Sequence, residues 1–146
     1  MKIECVHYGH KSFDITQFNK IKNDNWIKPR GGLWASPICS KYGWIDWCNE
    51  NDFGRLANNF NFIFEGNILI INSLEDLKTK IPFISVEGYQ YILHIDFEKL
   101  SKKYDAMLLT ENGEKETRFT HPENLYGWDC ESICVFNPNG IIIDKK

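Results

Sequence analysis

Between Lys2 and Tyr8, apolar Ile3, Cys5 and Val6 alternate with polar neighbours, and this pattern predicts a strand ending at His7-Tyr8-Gly9. Leu33-Trp34-Ala35-Ser36-Pro37 predicts a short strand stopped by its proline. Strand-like runs at 60–64 and 67–72 flank Glu65-Gly66, which reads as a hairpin turn. Further strands are expected at 89–95, 105–110, 131–136 and 141–143. Helical spacing is scarcer. Ser12-Phe13-Asp14 predicts a short helix through Lys22, with Phe13, Gln17 and Ile21 on one side. Gly43 to Asn51 places Trp44, Trp47 and Cys48 on one helical face. Ser73-Leu74-Glu75-Asp76 combines a capping serine with an acidic first turn, and that helix must stop before Pro82. Asp96 can cap a helix to Tyr104, Glu111 to Glu114 reads as a turn, and Asn137-Pro138-Asn139-Gly140 breaks the chain. Strands dominate without regular alternation with helices, so the expected class is α+β.

Length changes this picture little: 146 residues, 42% of them hydrophobic, suit one domain spanning 1–146 with a full core. Charge removes one class of function. Seventeen Lys and Arg against twenty Asp and Glu give a net charge of -3, and only Arg30, Arg55 and Arg118 are arginines. A duplex nucleic-acid binder needs a basic face to displace counterions, so nucleic acid is an unlikely partner. The 14% aromatic content would suit base stacking on single strands, but the same charge balance opposes it. No apolar run approaches a membrane span, and the polar start lacks a signal-peptide core, so a cytoplasmic setting is expected. Five irregularly spaced cysteines fit buried thiols better than a disulfide framework or a zinc knuckle.

Three stretches carry the candidate chemistry. In Val6-His7-Tyr8-Gly9-His10, a histidine at a strand end can present a ring nitrogen to a ligand hydroxyl while Gly9 permits close backbone approach; a histidine satisfied at a strand edge is the alternative. In the stretch from Lys28 and Arg30 through Gly31-Gly32-Leu33-Trp34 to Ser36, two glycines precede an aromatic strand with cations nearby. That backbone can lie against a flat or phosphorylated ligand, although the Lys-Ser/Thr ending of a P-loop is missing. In Tyr126-Gly127-Trp128-Asp129-Cys130-Glu131, two carboxylates two residues apart sit among aromatics that can desolvate them. Trp44, Trp47 and Cys48 read as core.

Taken in order, His7-Tyr8-Gly9, Gly32-Leu33-Trp34-Ala35-Ser36 and Asp129-Cys130-Glu131 followed by Val135-Phe136-Asn137-Pro138 resemble the mono-ADP-ribosyltransferase family. The resemblance runs the length of the chain through short motifs, and Trp34 stands where many members keep Tyr. The Gly-Leu-Trp and Trp-Asp-Cys pattern is similar also to small uncharacterised proteins of bacteria and their phages, which implies a role in phage–host conflict. The resemblance implies split antiparallel sheets and NAD as substrate. It also implies ADP-ribosyl transfer to a macromolecular acceptor, or NAD glycohydrolysis. Asp129 or Glu131 would stabilise positive charge at the anomeric carbon. His7, with Tyr8 and Gly9, would hold a ribose, Trp34 or Tyr8 would stack on nicotinamide, Ser36 would anchor the wall, and Lys28 or Arg30 would neutralise the pyrophosphate. A fold kept without turnover, as a binding module for a protein partner or a nucleotide, is the alternative.

Overall fold

The computed structural model describes every residue except 25, 26, 55, 87, 88 and 144–146, and the backbone alone for 86 and 89–92. Its strands are β1 (Lys2–Tyr8), β2 (Lys22–Asn23), β3 (Pro29–Arg30), β4 (Leu33–Pro37), β5 (Asn59–Glu65), β6 (Ile68–Ile71), β7 (Phe83–Val86), β8 (Tyr89–Ile95), β9 (Ala106–Leu109), β10 (Ser132–Val135) and β11 (Ile141–Ile142). Among the described residues four short helices accompany them: α1 (Trp44–Asn51), α2 (Leu74–Lys80), α3 (Phe97–Lys103) and α4 (Glu111–Thr117). The class is α+β, as the pattern predicts.

Seven strands form one sheet in the order β11-β5-β1-β4-β10-β9-β6. The sheet is mixed rather than purely antiparallel, because β6 runs parallel to β9 while the other neighbours are antiparallel. β4 is shared between two halves. Its Leu33, Trp34 and Ala35 pair with β10, whereas its Ser36 and Pro37 pair with β1. Beyond Val6, β1 and β4 no longer pair, and this parting creates the cleft described below.

The expected hairpin at Glu65-Gly66 does not form. β5 pairs with β1 and β11, and β6 pairs with β9 at the far edge. Only two residues join these strands. A flat sheet would hold them about 24 Å apart at five interstrand spacings, whereas the connection spans at most about 11 Å. The sheet therefore curls into an open barrel. Its concave side encloses Cys5, Ala35, Phe62, Phe64, Ala106, Leu108, Ile133 and Val135. The convex side is covered by a second cluster that includes Leu69, Ile71, Leu77, Phe97, Leu100, Met107, Leu109, Trp128 and Cys134. β9 and β10 contribute alternate residues to both clusters, which is why their sequences are apolar throughout.

Local chemistry explains most helices. Ser73 Oγ accepts from Asp76 N at 3.1 Å, and an Asp96 carboxylate oxygen accepts from Lys99 N at 3.1 Å, so both expected caps are made. α4 replaces the turn expected at Glu111: Thr110 Oγ1 accepts from Gly113 N at 3.0 Å, and Gly113 lets the helix press on Ile71, with whose carbonyl oxygen a Cβ would collide. The helix expected between Ser12 and Lys22 is absent. Asp14 instead caps a single 3-10 turn at Ile15–Gln17. Tertiary partners then take the following backbone: Gly32 N donates to Asn19 O at 2.9 Å, and β2 pairs with β3. Among the described residues no helix is long and apolar enough to cross a membrane.

Candidate functional site

Where β1 and β4 part, a cavity of about 270 Å³ opens between them and the loop that leads into β10. Val6, His7 and Tyr8 come from β1, Trp34, Ala35 and Ser36 from β4, and Gly127 to Cys130 from the loop; Lys28, Trp44 and Ser132 complete the lining. Three stretches far apart in sequence thus meet around one hollow. Of the predicted residues, His7, Tyr8, Lys28, Trp34, Ser36 and Asp129 reach it.

His7 holds the parting strands together. Its Nδ1 lies 2.6 Å from Trp34 O, and because a carbonyl only accepts, Nδ1 carries the hydrogen. Its Nε2 lies 2.9 Å from His10 Nδ1. Burial lowers the His7 pKa, more than the Trp34 carbonyl raises it, and nearby His10 lowers it further. The neutral ring therefore keeps a lone pair on Nε2, and His10 donates to it. Phe60 packs against the His7 ring with centroids 5.1 Å apart.

Aromatic walls give the cavity its shape. Trp34 meets Trp128 edge to face at 4.7 Å, and Trp128 Nε1 donates to Ile27 O at 2.7 Å. Trp128 is core, whereas Trp34 is half-buried and turns its ring toward Lys28 Nζ, 5.9 Å from the ring centre. Among the described residues, Lys28 and Asp129 are the one cation and the one carboxylate of the lining. Tyr8 is half-buried, and its phenol pKa is raised by burial and by the nearby Asp46 carboxylate.

Ser36 has a different job from the one its position suggested. Its hydroxyl donates to Glu131 O at 3.0 Å and accepts from Trp44 N at 2.9 Å. It thereby fastens β4 to the first turn of α1 and to the acidic loop, and its one hydrogen is committed within the protein. Glu131 lies outside the lining: burial raises its pKa, while the Glu111 backbone N–H at the start of α4 lowers it. Arg30 is exposed and paired to Asp24 at 3.2 Å, also outside the lining. Gly32, expected to face a ligand, faces protein. Its φ of 75° and the 2.8 Å that would separate a Cβ from Val135 O mark a close backbone crossing, and Leu33 joins the concave core. Gly9 takes φ 122° just outside the cavity and bends the chain so that His10 returns onto His7.

Sequence reasoning did not single out His10 as the partner of His7, although the i, i+3 spacing across a glycine was visible. The Trp44 contribution to the wall was missed too, because Trp44, Trp47 and Cys48 read as core. Cys48 is buried, but Trp44 and Trp47 stack on each other at 5.0 Å at the surface edge of α1, and Trp44 reaches the cavity. Burial pushes the thiol of Cys130, also in the lining, up to about 11, which disfavours the thiolate a nucleophile needs. Among the described residues no three His, Cys, Asp or Glu side chains gather to hold a metal ion. No protein-family model matches the chain, and no curated protein or solved structure matches it either.

Proposed function

We propose that this cleft binds the nicotinamide-ribose end of NAD and that the protein transfers ADP-ribose to an acceptor or to water. One observation carries the reading: the strand parting collects His7, Trp34 and Asp129, one from each of the three motifs, around a single cavity. At about 270 Å³ the cavity lies near the lower end of small-molecule sites, which run from about 300 Å³ upward. It suits a base and its ribose rather than a whole dinucleotide, so the adenosine part would extend outside. Trp34 offers a ring face for the nicotinamide, and Lys28 offers positive charge for the pyrophosphate.

The chemistry follows from Asp129, the one carboxylate of the lining among the described residues. Breaking the bond between nicotinamide and ribose leaves the electron pair on the departing base and positive charge at the anomeric carbon. Asp129, which lines the cavity with Trp34, Trp128 and Cys130, would stabilise that charge as it develops. The acceptor nucleophile or water then bonds to the carbon and loses its proton. An ADP-ribosyltransferase-like fold is part of the same proposal; the curled sheet divided along β4 supports it.

A second reading, a binding module without turnover, is favoured by one observation. Both nitrogens of His7 and the hydroxyl of Ser36 are already engaged within the protein. Release of nicotinamide from NAD by the purified protein, followed by chromatography, separates the two. Turnover that disappears with Asp129→Ala supports the transferase. NAD binding without release supports the module, and absence of both refutes an NAD site.

A further inference from the structure

His10 follows β1 after Gly9, and its side chain is exposed. Among the described residues, its hydrogen bond and its ring contact are both with His7: the 2.9 Å hydrogen bond and a near-parallel ring arrangement at 5.1 Å and 19°. The turn that brings it back is built into the backbone. Gly9 N donates to Asn58 O at 2.8 Å, continuing the β1–β5 pairing, while its φ of 122° suits glycine and few other residues. The return of His10 is therefore specified locally.

The His7 ring needs no help from His10 to stay where it is. Its Nδ1–H is held by the Trp34 carbonyl and its face by Phe60. What His10 does is fill the remaining polar position, the Nε2 lone pair. His7 lines the cavity, yet neither of its nitrogens is available as long as His10 stays in place. A group bonding to Nε2 must donate a hydrogen, as a ribose hydroxyl does, and must compete with the His10 N–H for the same lone pair.

We propose that His10 is a displaceable cap on His7, and that a ligand hydroxyl binds His7 Nε2 by taking the place of the His10 Nδ1–H. This rests on the reading of the cleft as a ribose site. It adds a residue that weakens ligand binding and that selects for ligands with a hydroxyl able to repay the displaced bond. His10 exchanges one partner for water, to which its exposed ring already has access, so the displacement costs little beyond the single hydrogen bond.

The test compares the wild-type protein with His10→Ala by carbethoxylation with diethyl pyrocarbonate, which attacks an unprotonated imidazole nitrogen. Modified histidines are mapped by peptide mass spectrometry at low conversion, with and without NAD. The expected result is slow modification of His7 in the wild type and several-fold faster modification in His10→Ala. NAD should protect His7 in the variant and bind it more tightly than the wild type by roughly two- to twelve-fold, the range set by one net hydrogen bond. Equal His7 reactivity in both proteins overturns the cap, because some other group then closes the nitrogen. Weaker NAD binding by His10→Ala also overturns it, since that is the sign expected of a residue that merely steadies the ring. Fast His7 modification in the variant with no NAD protection or binding in either protein leaves His10 covering the nitrogen but removes the NAD reading on which the displacement depends.

Discussion

Ser36→Ala removes one oxygen that serves two hydrogen bonds at a position 2% exposed. The serine donates to Glu131 O at 3.0 Å and accepts from Trp44 N at 2.9 Å, so the alanine leaves a carbonyl without this donor and the first helical N–H of α1 without a cap. Loss of a helix-capping oxygen costs about 1 kcal/mol. A part-buried carbonyl deprived of its partner costs about 1–2 kcal/mol more. The sum, about 2–3 kcal/mol, corresponds to a fall in Tm of about 6–9 °C at roughly 3 °C per kcal/mol for a chain of this size. Ser40→Ala serves as the control, because among the described residues Ser40 Oγ makes a single hydrogen bond, to Pro37 O at 2.8 Å. It should cost about 1 kcal/mol or less. Urea denaturation and scanning calorimetry on both variants give the comparison. If Ser36→Ala unfolds within about 2 °C of the wild type, the serine does not tie β4, α1 and the acidic loop together, and the cavity wall must be held by other contacts.

Asp129→Asn should slow nicotinamide release by about 10²–10³-fold, the cost of one preorganised electrostatic group, while Glu131→Gln keeps most of the activity because that side chain lies outside the cavity. Comparable losses in both variants would reverse the assignment of the acid. His7 has a folded pKa below its ordinary 6.5, so the unfolded chain binds the proton first; stability is full above pH 6.5 and falls as the pH drops from there toward the folded pKa. Thermal unfolding between pH 5 and 8 on wild type and His7→Gln should show that part of the slope disappear in the variant. Of the five cysteines, Cys39 alone is exposed, and burial pushes the Cys5 thiol up to about 12. A chromogenic thiol reagent at neutral pH should therefore titrate one cysteine in the native protein and five after unfolding.

How much of this was legible beforehand differs by element. β1, β4, α1, α2 and α3 lie within a residue or two of where alternation, helical spacing and capping residues put them, because those signals act between near neighbours along the chain. The polar stretch from Ser12 to Lys22 offered a helix, but Ile21 is drawn into the core, Gly31 packs on the carbonyls of Asn19 and Lys20, and Gly32 N donates to Asn19 O. α4 was hidden because Asn112 and Gly113 are poor helix formers; the helix exists because Thr110 caps it and because only a glycine fits against Ile71.

The site divides along the same line. Sequence alone picked out His7, Trp34 and the pair Asp129 and Glu131 as chemically capable, without choosing between the two acids, since residue type and neighbouring glycines or aromatics limit what a segment can do. Whether they face one hollow depended on β4 being shared between two half-sheets and on β5 and β6 lying five strands apart while joined by two residues. Those pairings join segments tens of residues distant, and no local periodicity encodes them. For the same reason only the folded chain could assign Ser36 to the scaffold, turn Glu131 and Arg30 away from the cavity, and set His10 on the nitrogen of His7. Residue types fixed the available donors, acceptors and charges; long-range strand pairing decided which of them share a space.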